Sequence, residues 1–300
     1  MSVPHVFTVI LNTNRREDTL ACLASLYHST YKDNTIIVLD NHSTDSSVEA
    51  IRSCFPLVQV INLAQNFGYA GNNNVGIRAA LEQHADWVLV LNEDTVLAPD
   101  CLEKMVQAGE RDSHIGMVGP LVYHYDEPDV IQSAGGWINR FWEAGHIGKN
   151  EPDRGQFRET RPVEWLTGCG ILVRRAAIEQ AGMLDERFFI YFEETEWCVR
   201  MRESGWSCAH VPQAKLWHKG VKRDYEPQPS FTYYATRNHL FLMAKHRASF
   251  VAWVVMWAQT MRTLTSWTVK PKWRHMREHR DAMWHGIMDF FRHRWGMRPA

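Results

Sequence analysis

Short apolar runs alternate with amphipathic stretches along the first 120 residues of the chain. The runs are rich in Val, Ile and Leu, have the length of strands, and cover residues 6–11, 34–40, 57–63, 86–92 and 115–119. Helical patterns lie between them, near residues 16–28, 45–53, 72–84 and 99–110. Apolar strands that alternate with helices are typical of a parallel sheet with both faces covered. The pattern therefore predicts an α/β fold.

Each of the first four predicted strands ends in a cluster of polar residues. The clusters are NTNR after the first strand, DNHSTD after the second, NLAQNFGYAGNNN after the third and NEDT after the fourth. In open α/β sheets, ligands bind beyond the carboxyl ends of the strands. We therefore expect the four clusters to face one crevice.

Beyond residue 120 the pattern changes twice. Residues 120–165 are rich in Gly, Trp and turn-forming residues and give only weak strand signals. A strand leading into a short helix is predicted next, then a helix from about Glu193 with Trp197 and Met201 on one side, and then a strand over SCAHVP. From Phe231 onward the pattern is helical and rich in tryptophan.

The near-neutral chain divides into an acidic front and a basic tail. Residues 1–236 hold 21 of the 33 Lys and Arg but 31 of the 34 Asp and Glu. In the tail, tryptophans are interleaved with the remaining basic residues, a combination that suits the headgroup region of an anionic membrane. An RNA-binding tail, a partner-binding tail and a helical subdomain packed on the core are the alternatives.

The longest apolar segment, residues 249–269, has nearly the length of a membrane span. Gln259 and Arg262 interrupt it, and an Arg at a helix centre costs about 2.5–3.5 kcal/mol on insertion scales. We therefore expect the segment to lie at a membrane surface and not to cross the bilayer.

The cysteines give no sign of a metal cage or of export. All six are scattered without a CxxC pair, and the N-terminal sequence lacks the charged-then-apolar order of a signal peptide. These features favour a cytoplasmic protein without a structural zinc site.

Four motifs carry candidate chemistry. Asp40 ends an apolar strand, where its carboxylate either accepts an N–H of a nucleotide base or forms the turn. The segment NFGYAGNNNVG, residues 66–76, precedes a predicted helix and offers backbone and side-chain amides to a diphosphate. Asp94 in LNEDT either offers carboxylate oxygens that suit Mg²⁺ or Mn²⁺ or is, like Glu93, a plain turn acid. His218 in LWHKG is either structural or a metal ligand.

The stretch YFEETEW, residues 191–197, sets three glutamates among aromatic residues. Acidic residues stabilise a helix N-terminus, so a helix start accounts for them. The alternative is a reactive carboxylate whose pKa is raised by burial against the aromatic rings. Those rings either form an apolar platform for a sugar or pack in the core.

In this order, the motifs resemble glycosyltransferase family 2, enzymes of the GT-A fold that transfer a sugar from a nucleotide diphosphate donor with inversion. More narrowly, they are similar to its bacterial rhamnosyltransferase-like and galactofuranosyltransferase-like branch. The resemblance covers about residues 5–245 and rests on VLDNHSTDSS, NFGYAGNNNVGI, LNEDT, GCGILVRR, FFIYFEETEWCVRMRESGW and WHKG. It implies a mostly parallel GT-A sheet with flanking helices.

The resemblance also implies a donor site at the strand ends. Asp40 would recognise the pyrimidine base, and Asp94 would hold Mg²⁺ or Mn²⁺ as the last position of the family's metal motif, with His218 as a further metal contact. The other residues around the nucleotide would be Thr13, Arg15, Asn66, Gly68, Asn92 and Glu93. Asn92 stands where the family's motif begins with an acid, which leaves the metal fewer charged ligands.

Catalytic and acceptor residues follow from the same resemblance. Glu194 would be the base, Glu193 the competing candidate, and Glu196 an ordinary surface or capping acid. The family usually has Asp at the base position, and the additional methylene of Glu194 shifts the carboxylate, to which catalysis is sensitive. The acceptor side would be formed by Trp165, Thr167, Gly168 and Trp197.

These observations predict a metal-dependent inverting glycosyltransferase of cell-surface polysaccharide synthesis. The expected donor is dTDP-rhamnose, with a UDP-sugar of the galactofuranose or hexose type as the alternative, and the acceptor is a glycan or a lipid-linked glycan. The rival classes are a nucleotidyltransferase or sugar-nucleotide hydrolase, and a non-catalytic sugar-nucleotide-binding or membrane-scaffold protein. No nucleic-acid partner is expected.

The expected organisation is a GT-A domain over residues 1–230, with a nucleotide-binding half at 1–120 and an acceptor-binding half at 121–230. Residues 231–300 would form a helical, basic, tryptophan-rich segment that contacts a membrane through residues 249–298. The protein would then be cytoplasmic and peripheral at the inner face of the cytoplasmic membrane.

Overall fold

A mixed β-sheet forms the centre of the protein, and the computed structural model describes residues 3–220 and 226–298. The strands are β1 (Val6–Asn12), β2 (Asn34–Asp40), β3 (Gln59–Asn62), β4 (Trp87–Asn92), β5 (Thr95–Leu97), β6 (Ile115–His124), β7 (Ile131–Ser133), β8 (Gly136–Ile138), β9 (Ala144–His146), β10 (Arg161–Val163), β11 (Gly170–Arg174) and β12 (Ser207–His218). The helices are α1 (Arg16–Tyr27), α2 (Ser47–Cys54), α3 (Gly68–Glu82), α4 (Cys101–Arg111), α5 (Arg175–Ala181), α6 (Glu193–Glu203), α7 (Pro229–Lys245), α8 (Phe250–Val269) and α9 (Arg277–Phe291).

The sheet has the strand order β10-β12-β6-β11-β4-β1-β2-β3, with β5 paired to β12 and β7 to β6. Strands β3, β2, β1 and β4 are mutually parallel, whereas β11 runs antiparallel to both β4 and β6. All strands and helices predicted before residue 120 are present, with shifted ends. The expectation of a mostly parallel α/β sheet is therefore confirmed.

Both faces of the sheet are covered. Since successive side chains of each central strand point to opposite sides, both sets of side chains are buried. On one face, Ile10 belongs to the core cluster that includes Leu102 of α4. On the other face, Val9 belongs to the cluster that includes Ile77 of α3. Two-sided burial explains why the strands read as continuous apolar runs without alternation.

The strand register places the polar strand ends in one row. Asn12 at the end of β1 is the partner of Asp40 in β2, and Asp40 is the partner of Asn62 in β3. On the other side of β1, Leu11 pairs with Asn92, the last residue of β4. The carboxyl ends of these four strands therefore open onto the same edge of the sheet, as the pattern predicted.

Residues 120–165, which gave weak strand signals, contain short strands. β7 extends the sheet beside β6, β8 and β9 form a separate two-stranded hairpin, and β10 pairs with β12 at the sheet edge. Strand β12 is much longer than the predicted SCAHVP and continues to His218, where it pairs with β5. This pairing brings the end of β12 next to the turn after β4.

Helix α7 packs on the sheet domain through two fully buried polar residues, Arg237 and Asn238. The Nδ2 of Asn238 donates to the carbonyl oxygens of Phe188, Ile190 and Tyr191 at 2.8–2.9 Å. The expected boundary at residue 230 falls within α7, so the contacts join this helix to the preceding domain. The role of the remaining tail as a membrane-surface segment stays a prediction.

Helices α8 and α9 complete the C-terminal part. They share a small apolar core with α7, in which Leu240, Met256 and Ile287 are buried, and Trp253 and Trp257 pack against it. Part of the tryptophan pattern therefore reflects packing. Among the described residues, no helix combines the length and the apolar character that a bilayer-spanning segment needs.

Replacing Asn238 by Ala tests whether α7 holds the segment that precedes α6. We expect Asn238→Ala to lower the free energy of unfolding by about 1–3 kcal/mol, because buried carbonyl groups lose their donor. Thermal unfolding followed by circular dichroism measures this change. The matched substitution Ser230→Ala, at an exposed position of the same helix, should have no effect. An unchanged melting temperature in Asn238→Ala would contradict this role.

Candidate functional site

The loops after β1 and β2 are joined by side-chain hydrogen bonds at the floor of the crevice. Asn12 Nδ2 donates to Asp40 Oδ1 at 3.0 Å, and the backbone N–H of Ser43 donates to Asp40 Oδ2 at 3.2 Å. Asn41 Nδ2 donates to Thr13 Oγ1 at 3.2 Å. Asp40 thus has the turn-forming role, and its recognition of a base stays a prediction.

The glycine- and asparagine-rich segment differs from its prediction. Helix α3 begins at Gly68, so Asn72, Asn73 and Asn74 lie inside the helix and are buried. Asn74 bonds Leu184 in both directions, its Nδ2 donating to the carbonyl oxygen at 2.9 Å and its Oδ1 accepting from the N–H at 3.1 Å. Asn74 thus holds the chain near residue 184, while Asn72 and Asn73 bond within the motif, to Phe67 and Tyr69. The expectation that this segment offers amides to a diphosphate stays a prediction.

Gly68 is required where this helix begins. Its φ is +76°, and a Cβ at this position would lie 2.4 Å from the carbonyl oxygen of Phe189. The exposed Asn66 accepts the N–H of Gly68 through Oδ1 at 2.9 Å and so closes the turn. The two predicted donor-site residues therefore shape a tight turn against the segment that precedes α6.

Asp94 and His218 come together at the turn between β4 and β5. Asp94 Oδ1 lies 3.1 Å from His218 Nε2, and Asn92 Nδ2 lies 3.5 Å from the same nitrogen. His218 Nδ1 is 3.0 Å from Gln132 Oε1, which can only accept a hydrogen bond. In the neutral imidazole, this contact places the proton on Nδ1 and directs Nε2 at Asp94. Burial would raise the pKa of Asp94, but the contact with His218 outweighs it and lowers the pKa.

This arrangement fits a divalent cation. Among the residues that the structure describes, Asp94 Oδ1 is buried and has His218 Nε2, at 3.1 Å, as its polar neighbour. A carboxylate oxygen and an imidazole nitrogen at this spacing can both bind one cation, and metal-bound histidines usually donate their other N–H as His218 does. A Cβ on Gly220 would lie 2.3 Å from Asp94 Oδ2 and fill this space.

The protein alone offers few ligands here. Within the described residues, no group of three or more His, Cys, Asp or Glu side chains is arranged to hold a metal ion. Two protein ligands suit a cation that completes its coordination with substrate phosphates and water. The site therefore fits a metal that is carried by a nucleotide diphosphate.

Charged residues surround this turn. Lys219 Nζ donates to Asp18 Oδ1 at 2.9 Å, and Arg15 Nη1 donates to Asp18 Oδ2 at 3.2 Å. Burial, and then the charge of Asp94, raises the pKa of Glu93 to about 7. Because the side chain of Arg15 is half exposed, this guanidinium remains accessible to an anionic ligand at the crevice.

Glu193 and Glu194 form the first turn of α6, and within residues 3–220 and 226–298 each has a buried carboxylate oxygen without a hydrogen-bond partner. Burial raises the pKa of Glu194, although the backbone N–H groups of Glu194 and Thr195 oppose the change. Burial raises the pKa of Glu193 well above its ordinary value, and the charge of Glu194 raises it further. The structure thus brings together two acids of perturbed pKa.

One short turn links these acids to the candidate metal residues. The side chain of Glu194 lies 3.6 Å from the position that a Cβ on Gly168 would take, and Tyr69 Oη donates to the Gly168 carbonyl at 2.7 Å. The next carbonyl, that of Cys169, accepts the N–H of Asn92 at 3.1 Å. The predicted residues of the base, the acceptor side and the metal motif are therefore neighbours.

The backbone before α6 has an unusual conformation. Phe189, Tyr191 and Phe192 have φ values of 67°, 67° and 72°, which are uncommon for residues other than glycine. Phe188, in contrast, is a fully buried core residue. This left-handed segment, residues 189–192, turns the chain so that α6 starts with both acids in the crevice.

Glu196 differs from the expectation of a surface or capping acid. It is fully buried and makes ion pairs with Arg200 at 3.0 Å, Lys245 at 2.8 Å and His246 at 3.3 Å. Burial would raise its pKa, but these partners outweigh it and lower the pKa to about 2. Glu196 therefore anchors α6 to the end of α7.

Two of the four predicted acceptor-side residues are core residues instead. Trp197 is 1% exposed, and its Nε1 donates to the Gly182 carbonyl at 2.8 Å. Trp165 is 5% exposed, and its Nε1 donates to the Trp137 carbonyl at 3.2 Å. Neither indole presents a face to a ligand, because both rings are packed and hydrogen-bonded inside the domain.

Three residues of the site carried no recognised signal in the sequence. Gln132 lies in the weakly patterned middle segment, Tyr69 stands inside the glycine-rich motif, and Gly220 ends the motif WHKG. Only the glycine had a detectable cue, because a glycine two positions after a candidate ligand indicates close approach of the backbone. The other two act through partners that are distant in sequence.

The chain is similar to known sugar-transferring enzymes. The family model described as Glycosyl transferase family 2 matches residues 8–182. Over 251 residues the chain is 29% identical to N-acetylglucosaminyl-diphospho-decaprenol L-rhamnosyltransferase of Mycobacterium tuberculosis, covering 75% of this chain and 79% of the relative. Over 293 residues it is 24% identical to dTDP-rhamnosyl transferase RfbF of Shigella flexneri, covering 94% and 95%. Galactofuranosyltransferase GlfT1 of Mycobacterium tuberculosis is 29% identical over 232 residues, covering 74% and 72%.

Solved structures share the fold at low sequence identity. GalNAc-T7 with UDP, GalNAc and Mn²⁺ has a TM-score of 0.64 at 15% identity over 81% of this chain. The match spans about half of that protein, 48% of its length. The mannosyltransferase PcManGT from Pyrobaculum calidifontis, in complex with GDP-Man and Mn²⁺, has a TM-score of 0.60 at 14% identity and covers 97% of this chain and 88% of its own.

The raised pKa of Glu193 predicts a pH-dependent cost to stability. An unfolded glutamate ionises near pH 4.5, whereas the folded protein keeps the proton to higher pH, so stability falls as the pH rises above that value. We expect Glu193→Gln to raise the melting temperature at about pH 8 and to have little effect near pH 4. Thermal unfolding at both pH values measures this, with Glu179→Gln as the surface control. A gain that is equal at both pH values would contradict the electrostatic cause.

Proposed function

Because the chain belongs to glycosyl transferase family 2 and has the GT-A fold, we propose that it transfers a sugar with inversion from a nucleotide diphosphate to an acceptor hydroxyl. The observation that carries this proposal is the pair Glu193 and Glu194, whose buried carboxylate oxygens have no hydrogen-bond partner among the described residues and lie beside the turn that leads to Asp94. A membrane scaffold or a binding protein has no need for two such unbonded acids, which cost stability.

We assign the role of base to Glu194. Glu194 is the less buried of the two acids, and its side chain lies beside Gly168, on the turn that leads to Asn92. Glu194 takes the proton of the acceptor hydroxyl while that oxygen forms the new bond to the anomeric carbon, and the bond from this carbon to the diphosphate breaks. No covalent enzyme intermediate is required.

Asp94 and His218 would hold Mg²⁺ or Mn²⁺, with Asn92 beside them and Gln132 fixing the imidazole. When bound, such an ion neutralises the charge that develops on the departing diphosphate. Arg15 lies close enough to Glu93 for its charge to oppose the rise that burial and Asp94 cause in the pKa of this acid, and its half-exposed guanidinium would assist at the phosphates. The remaining donor-side residues, Thr13, Asn66 and Gly68, shape the loops around the nucleotide.

The proposed donor is dTDP-rhamnose. Two relatives are named as rhamnosyltransferases, and one of these over nearly the whole chain as a dTDP-rhamnosyl transferase. A UDP-galactofuranose donor is the alternative, because GlfT1 is also similar. Asp40 would accept the imide N–H that both pyrimidine bases share, so it does not select between them. Stabilisation against heat by one nucleotide sugar and not the other, in the presence of Mn²⁺, decides between the donors.

The proposed acceptor is a lipid-linked glycan in cell-surface polysaccharide synthesis, reached from the membrane surface through residues 249–298. One relative is named for a diphospho-decaprenol substrate. Helix α8 has a continuous exposed apolar face, on which Phe250 is 82%, Val254 50% and Met261 45% exposed. Such a face, within a basic segment, suits the interface of an anionic bilayer.

Replacing Glu194 by Gln removes the proton acceptor without changing the size of the side chain. We expect kcat to fall by about 10² or more, while binding of the nucleotide diphosphate is unchanged. Steady-state transfer and calorimetric nucleotide binding measure the two effects, with Glu203→Gln on the same helix as the control. If Glu194→Gln is fully active and Glu193→Gln is not, the base is Glu193.

Changes at Asp94 and His218 test the metal assignment. We expect Asp94→Asn and His218→Ala each to weaken Mn²⁺-dependent nucleotide binding about tenfold or more, and Gln132→Leu to weaken it by about tenfold through the lost imidazole contact. Titration calorimetry with and without Mn²⁺ measures this, and His114→Ala on the surface is the control. Unchanged metal dependence in His218→Ala would reduce this residue to a packing role.

Acidic substitutions on the exposed face of α8 test the membrane contact. We expect the double variant Phe250→Glu/Val254→Glu to lose at least tenfold in binding to vesicles that contain anionic phospholipid, because it removes apolar insertion and adds repulsion. Vesicle co-sedimentation measures binding, and circular dichroism verifies folding. Leu57→Glu, at a site that is 83% exposed in the sheet domain, is the matched control. Equal binding by all three proteins would exclude the proposed face.

A further inference from the structure

Two cavities in the C-terminal helices meet at one side chain, Trp284. The first has a volume of about 470 Å³ and is lined by Tyr233 of α7 and by basic residues at the end of α9. The second, of about 620 Å³, lies between α8 and α9 and is lined mainly by apolar side chains. Trp284 lines both cavities and is 51% exposed, so they form one continuous surface.

The first cavity carries uncompensated positive charge. Arg292, Arg294 and Arg298 line it, and within the described residues neither Arg292 nor Arg298 forms an ion pair. The single acid, Asp289, lies 3.7 Å from Arg294 and accepts a hydrogen bond from Tyr233 Oη at 2.8 Å. Guanidinium groups that converge without carboxylate partners are suited to phosphate oxygens. The cavity therefore fits a phosphate or diphosphate group.

The second cavity is an apolar groove that opens to solvent. Its lining includes Met261, 45% exposed, and Val269, 72% exposed, both on α8. Arg280 and Asp281 lie at its edge and neutralise each other at 2.7 Å. Exposed apolar side chains that line a groove indicate a hydrophobic ligand.

The two cavities lie along one helix. Arg280, Trp284, Met288 and Arg292 follow one another at four-residue intervals on the same face of α9. The distance from Trp284 to Arg292 is about 12 Å at 1.5 Å per residue. An elongated ligand could therefore span from the apolar groove to the arginine cavity.

We propose that these two cavities form one binding site for a long-chain lipid that carries a diphosphate head group. The hydrocarbon chain lies in the groove between α8 and α9, and the diphosphate is bound by Arg292, Arg294 and Arg298. This inference rests on the proposed function, because the ligand is the lipid that anchors the acceptor glycan.

A short series of contacts connects this site to the left-handed segment before α6. The N–H of Arg298 donates to Tyr234 Oη at 2.8 Å, and the Tyr234 ring stacks on Phe189 with centroids 5.6 Å apart. The carbonyl of Phe189 accepts the N–H of Ala70 at 3.2 Å, next to the donor-site turn at Gly68. One layer of aromatic side chains thus separates the arginine cavity from the crevice that would receive the acceptor sugar.

The test separates the lipid site from catalysis. In the full chain, we expect Arg292→Gln/Arg298→Gln to raise the KM for a diphosphate-lipid-linked acceptor at least tenfold, because two charge-assisted contacts are lost. The kcat and the KM for a lipid-free glycan acceptor should not change. Trp284→Ala should weaken direct binding of farnesyl diphosphate, measured by calorimetry, and leave the weaker binding of inorganic pyrophosphate in place.

Two exposed arginines nearby provide a matched control, because Arg274→Gln/Arg277→Gln also removes two charges but outside both cavities. An equal effect of this control variant, or equal KM changes for lipid-linked and lipid-free acceptors, would contradict the proposed site. So would a loss confined to phospholipid vesicle binding, which would make the arginines a membrane contact. If the wild type transfers sugar to no acceptor, the proposed function is contradicted. Binding of farnesyl diphosphate would then still show whether the lipid site exists.

Discussion

The left-handed segment at residues 189–192 is the constraint on which the candidate site depends. Non-glycine residues with positive φ cost about 1–3 kcal/mol each and persist only where surrounding contacts hold them. Asn238 and Arg237 of α7 supply those contacts by donating to the carbonyl groups of residues 187, 188, 190 and 191. Because the donors are fully buried, the turn cannot relax without exposing unpaired polar groups. The direction in which α6 leaves the turn, and with it the position of both acids, follows from this arrangement.

The first turn of α6 shows how burial and partners together decide what a glutamate does. Glu196 is buried against Arg200, Lys245 and His246, so its pKa is low and it remains a structural anion. Glu193 and Glu194 have carboxylate oxygens that are buried without an ion pair in the described part of the chain, so burial raises their pKa values. The same residue type, within four positions, therefore provides both an anchor and a potential base. Destabilisation of this kind is expected where a reactive group must be kept poised.

The sequence predicted what depends on local pattern and missed what depends on distant partners. The parallel strands could be predicted because burial on both faces makes them continuous apolar runs. The proximity of Asp94 and His218 came from a resemblance, since 124 positions separate them and only the β5–β12 pairing brings them together. The buried roles of Glu196, Trp197 and Asn74 were not predictable, because their partners lie on other elements. The sequence around a polar or aromatic residue is the same whether its side of the helix faces solvent or packs against another helix.

The C-terminal helices pack closely on one another and on residues 187–191, although the sequence suggested a separate tail. Gly286 of α9 lies so close to α7 that a Cβ there would be 2.7 Å from the Tyr233 carbonyl oxygen. Helix α7 in turn holds residues 187–191 through Arg237 and Asn238. Any surface that α8 and α9 bind, whether a bilayer or a single lipid, is therefore held at a fixed distance from Glu194. Such a geometry suits an acceptor whose reactive hydroxyl lies a constant distance from its lipid anchor, because binding of the anchor then positions the hydroxyl.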